Sequence, residues 1–141
     1  MSYLWLKFDE RRDHNLAYHV SKERFGELVE QALAELPSPF DEYIEEVPVE
    51  LRDRPTLRQL QSVGLDSNHL LLGLYDGVHL TQRSVEQSGV RPPVIYIFRD
   101  HIELACRSEK ELVEQVRKTV LHEVGHHFGM NEQDLDELGY G

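Results

Sequence analysis

The run from Ser108 to Phe128 leaves this chain little choice of fold. Leu112, Val116, Val120 and Val124 recur four apart, so they share one face of a helix. Ser108 with Glu111 three residues later makes a capping box at its start. Gly129 stands where a left-handed residue ends a helix. A helix of that length spans about 30 Å, close to the width of a small domain. The rest of a 141-residue chain must cover its apolar stripe, and that length suits one domain with one core.

The covering elements can be read in turn. Phe25, Leu28, Val29, Ala32, Leu33 and Leu36 predict a second amphipathic helix over 22–36, capped by Ser21 and stopped by Pro37 and Pro39. Val47, Val49 and Leu51 alternate as a strand with one buried face. Residues 52–69 read as a polar connection with room for a helical turn around Leu57 and Leu60. Leu70 to Tyr75 is strand-like, Asp76-Gly77 is a tight-turn signal, and Val78 to Thr81 fits the return strand of a hairpin. Val94 to Phe98 is rich in β-branched and aromatic residues and predicts another strand. Asn131 would cap a last short helix with Leu135 and Leu138 facing inward. Tyr3 to Phe8 alternates, as a short edge strand or a loose arm. This order gives an α+β domain, with helices packed on a small sheet.

Composition excludes several roles. A net charge of -11 provides no basic footprint for nucleic acid or an anionic membrane, and favours basic partners weakly. The lone Cys106 forbids an intrachain disulfide and reads as a small buried residue. The first residues do not resemble a signal peptide and no stretch is long enough to span a bilayer, so a cytoplasmic protein is expected.

The long helix carries His122-Glu123-Val124-Gly125-His126. Positions 122 and 126 lie one turn apart, so both imidazoles leave the same face and reach one zinc ion at about 2 Å each. Glu123 is rotated by about 100° from His122 and is free to act as a general base on a zinc-activated water. With 8 histidines in the chain, a shuffled copy would show the bare pattern about once in twenty tries, so the context matters. Val124 belongs to the buried stripe, which turns the two histidines away from the deepest core. Gly125 permits a close neighbour, and Gly129 turns the chain so that a later residue returns toward the metal. His127 reads as a helix-end residue favoured by the macrodipole. His69, His79 and His101 lack ligand spacing, and the run Asp41-Glu42 with Glu45-Glu46 reads as a solvated face.

The fuller string His122 to Met130, HEVGHHFGM, resembles the small bacterial zincin-like metallopeptidases. Phe25 to Pro37, Leu71 to Arg83 and Val94 to Arg107 are similar to blocks of that family in the same order. The likeness covers roughly residues 20–140, making 21–141 the family-like region of a single domain 1–141 and 1–20 an extension. It implies a minimal zincin fold: an active-site helix, a supporting helix and a short mixed sheet. It also implies a third zinc ligand three residues after Gly129, which is Glu132 here, where the family usually has Asp. Asp134 is the alternative, otherwise completing the Asn131 cap. No methionine follows Met130, so the metzincin methionine turn is absent.

Together these readings predict a zinc-dependent peptidase acting on a peptide or protein. His122, His126 and Glu132 would hold Zn2+, and Glu123 would be the base. The short tail implies a shallow site open to solvent. Tyr140 is either a hydrogen-bond donor to an oxyanion or a frayed terminal aromatic, and Tyr75 and Arg83 are explained equally well by packing and a surface ion pair. The alternative function is a non-catalytic zinc protein with four protein ligands.

Overall fold

A computed structural model describes residues 2–7, 18–66, 68–77 and 92–137. Its elements, in order, are β1 (Ser2–Lys7), α1 (Lys22–Ala34), α2 (Phe40–Tyr43), β2 (Val49–Arg52), α3 (Leu57–Ser62), β3 (His69–Asp76), β4 (Val94–Phe98), α4 (Arg99–Ala105), α5 (Glu109–His127) and α6 (Glu132–Glu137). The strands form a four-stranded mixed sheet in the order β1-β3-β4-β2. β3 is antiparallel to both β1 and β4, and β2 runs parallel to β4. The fold is α+β, as the sequence predicts.

The two long helices form for the expected reasons. The Ser21 hydroxyl accepts from the Arg24 amide at 3.1 Å, and Phe25, Leu28, Val29 and Ala32 are buried on one face of α1. The Ser108 hydroxyl accepts from the Glu111 amide at 3.1 Å, while the Glu111 carboxylate reaches past Ser108 to the Arg107 amide at 2.6 Å. The capping box is thus shifted by one residue on its return arm. α5 packs against α1 on one side and against β3, β1 and β4 on the other. Its stripe joins Phe25, Leu28, Leu72, Ile95 and Ile97 in the main core.

β3 is buried without interruption from Leu70 to Tyr75. It is an inner strand covered on both faces: Leu71, Leu74 and Phe98 pack beneath Leu60, Val63 and Leu65 of the α3 region, opposite the main core. A strand wetted by neither face has no reason to alternate. β2 departs from its predicted pattern. Val47 is fully buried but precedes the strand, and Leu51 is 37% exposed because β2 lies at the edge of the sheet. At the other edge is β1, the strand alternative for the amino-terminal run.

Two helices were not legible in advance. α2 holds Asp41 and Glu42, and Tyr43 from it stacks on Phe128 at 3.8 Å. α4 follows β4 directly and buries Ile102 and Glu103. It also places His101 so that its Nδ1 accepts from the Leu71 amide at 2.9 Å, which satisfies the backbone of β3. Burial lowers the pKa of His101 and so keeps the ring neutral, as an acceptor must be. Cys106 is buried, as expected. The proposed return strand Val78 to Thr81, Arg83, Leu138 and Tyr140 lie outside the described residues. Among the described residues no helix is long and apolar enough to cross a membrane.

Gly73 sets how closely α5 approaches the sheet. A Cβ there would collide with the Thr119 methyl and come within 3.3 Å of the Tyr96 carbonyl oxygen. Gly73→Ala should therefore destabilise the fold by about 1–3 kcal/mol, despite the better strand propensity of alanine. Urea denaturation measures this, and an unchanged midpoint would show that the contact is soft.

Candidate metal centre

The last turns of α5 and the whole of α6 build the site. α5 ends in a Schellman motif: Gly129 has φ 87°, its amide donates to the His126 carbonyl at 3.1 Å, and the Met130 amide donates to the Gly125 carbonyl at 2.8 Å. Asn131 and Asp134 then cap α6 reciprocally. The Asp134 amide donates to the Asn131 side chain, and the Asn131 amide donates to the Asp134 carboxylate, each at 2.9 Å. Leu135 is fully buried and fills the notch left by Gly125, where a Cβ would sit 2.7 Å from its Cδ2. The reversed chain thereby delivers Glu132 to the face that carries the two histidines.

His122 Nε2 lies 2.6 Å and His126 Nε2 lies 3.0 Å from the same Glu132 oxygen, Oε1. The two rings meet edge-on with centroids 4.5 Å apart. Each of the three residues offers a donor atom within 4.8 Å of the others. Asp134, the alternative third ligand, has its carboxylate engaged in the cap instead.

Glu123 is fully buried. Its Oε1 lies 3.3 Å from His122 Nδ1, and its Oε2 is buried with no hydrogen-bond partner among the described residues. A buried carboxylate oxygen left unpaired is costly unless a partner arrives from outside the chain. Two imidazole nitrogens, one carboxylate oxygen and a buried carboxylate with spare acceptor capacity fit a zinc ion with an open position.

The site is less open than the short tail implies. Among the described residues of the site Glu132 is the most exposed, at 63% of its side chain, His126 is partly exposed, and His122 and Glu123 are buried. His127 also differs from its predicted role. It is 2% exposed, and its Nδ1 shares a 2.6 Å hydrogen bond with the hydroxyl of the fully buried Tyr75. A tyrosine inside an otherwise apolar strand was the signal that a buried polar partner was needed.

The charges are coupled. Burial works against a charged His122, but the hydrogen bond and charge of Glu123, with Glu132 beyond it, outweigh this and raise its pKa above the ordinary histidine value. Partial burial likewise works against an ionised Glu132, yet His126 and His122 hold its pKa below the usual glutamate value.

In comparison with known families, residues 44–141 match the family model described as zincin-like metallopeptidase. That span contains His122, Glu123, His126 and Glu132. No curated protein matches the chain.

Two outcomes follow from this geometry. Zinc takes neutral imidazole, so if His122 is a donor its raised pKa lets protons compete at higher pH than usual. Zinc affinity should therefore fall markedly between about pH 8 and about pH 6, with Glu132 still ionised throughout; chelator competition at both values would reveal a flat response if the reasoning is wrong. Gly125→Ala should push Leu135 and α6 outward and weaken zinc binding several-fold, although alanine improves helix propensity by about 1 kcal/mol. Unchanged zinc affinity in that variant would mean that α6 adapts without moving Glu132.

Proposed function

Because the chain belongs to the zincin-like metallopeptidase family, we propose that it is a zinc-dependent peptidase, with His122, His126 and Glu132 holding the metal and Glu123 as the general base. One observation carries the reading: three zinc-type donors converge beside a buried carboxylate whose second oxygen lacks a partner among the described residues.

Zinc, when bound, supplies a Lewis acid that polarises a carbonyl and lowers the pKa of water toward about 7. The chain's own residues supply the rest. His122 holds Glu123 through Oε1 and so leaves Oε2 to receive a proton from the attacking water. Glu123 then returns that proton to the departing amine nitrogen as the peptide bond breaks. Burial of Glu123 keeps bulk water from competing for that oxygen. The substrate is a peptide or protein, lying extended along an outer strand of the sheet as an added strand. A net charge of -11 disfavours nucleic acid and anionic membranes as partners.

The competing reading, a closed structural zinc, needs a fourth protein donor. Among the described residues the converging group has three, which favours the open, catalytic arrangement. Glu123→Gln provides the test. It keeps the shape of the side chain and leaves the three donors in place. Zinc content should be retained, and hydrolysis of a broad peptide library should fall by about 10²–10⁴-fold. Full activity in that variant would rule out Glu123 as the base.

A further inference from the structure

The buried Tyr75–His127 pair has no part in the chemistry proposed above, yet it occupies a position where an apolar pair would pack at lower cost. Tyr75 is 0% exposed and His127 is 2% exposed, with ring centroids 5.1 Å apart and a 2.6 Å hydrogen bond between them. What such a bond adds over apolar packing is direction.

Its two ends lie on unequal supports. Tyr75 sits in β3 with its register set on both sides, opposite Ser2 of β1 and Ile95 of β4. His127 is the last residue of α5, one position after His126 and one turn after Glu123. Helix ends fray, and this one carries a metal donor in its final turn. The same turn launches α6 through the Met130 amide and the Gly125 carbonyl, so the approach of Glu132 depends on it as well. On its other side Phe128 stacks on Tyr43 at 3.8 Å and meets the His127 ring edge-on at 4.7 Å. The final turn is thus packed from two directions, and the link to the sheet is the directional one.

We infer that Tyr75 and His127 are positioning residues: their hydrogen bond sets the last turn of α5 against β3 and so holds His126 and Glu132 in register for the metal. This rests on the zinc reading above, but not on peptidase activity. The bare His-Glu-x-x-His pattern does not itself call for a histidine after its second histidine, so the role is read from the packing of Tyr75 on His127.

The test measures zinc affinity of metal-free protein by competition with a chromophoric chelator, alongside thermal stability. Tyr75→Phe keeps the ring and removes the hydroxyl, and should weaken zinc binding about tenfold, the lower end for residues that support ligands from behind. The double variant Tyr75→Phe with His127→Phe makes the pair apolar. It should recover stability while zinc binding stays about tenfold weak. His127→Asn keeps a polar atom near the Nδ1 position and should hold zinc within about threefold of the parent chain. If Tyr75→Phe binds zinc as tightly as the parent, or if the apolar pair restores affinity together with stability, the pair is only packing and the inference falls. Should the double variant fail to fold, the contrast between Tyr75→Phe and His127→Asn decides the matter alone. A parent chain that binds no zinc would overturn the metal reading and this inference together.

Discussion

The contact of Leu135 with the bare backbone of Gly125 is the interaction on which the site depends. α6 has six residues, far too few to be stable by itself. It holds its place because a fully buried leucine seats on α5 where a side chain is missing. The Gly125 carbonyl also receives the Met130 amide, so one glycine both ends the turn and accepts the returning helix. Without this docking Glu132 would be an exposed acid on a short tail, and the two histidines would face solvent alone.

The second constraint is electrostatic. The chain places two carboxylates against two imidazoles, one carboxylate buried and one largely exposed. The buried one, Glu123, engages His122 with one oxygen and leaves the other unmatched among the described residues. Folding tolerates that mismatch where a water or ion completes it. The exposed one, Glu132, bridges both histidines through a single oxygen. The environments therefore separate two chemically similar acids, one enclosed beside His122 and one reached from solvent.

Much of this was legible from residue order, and the failures share a cause. α1, α5 and β4 follow from periodicity and caps, because each satisfies local rules strongly. The docking of a neighbour at Gly125 was inferable because a glycine inside a helix has to have a reason. The exposure of Leu51 and the unbroken burial of β3 were not, since both follow from the sheet order, which no local pattern carries. α4 escaped notice because seven residues following a strand without a break lack a cap signal: Phe98 makes no side-chain cap bond. His127 was misread for a related reason. A helical wheel gives the angle of a side chain but not what waits there, and Tyr75 is 52 positions away in sequence. Spacing from Gly129 singles out Glu132 over Asp134, while the reciprocal closure of the cap that occupies Asp134 is visible only in the fold.

Gly73 also bears on how the site is anchored. With no side chain between β3 and the Thr119 methyl, α5 lies hard against the sheet along its middle. Thr119 stands three positions before His122, so this contact ties the helix that carries both histidines to the sheet, while Glu132 reaches them from α6, docked separately through Leu135. The two imidazoles and the carboxylate thus have separate anchors, one to the sheet at Gly73 and one to α5 at Gly125.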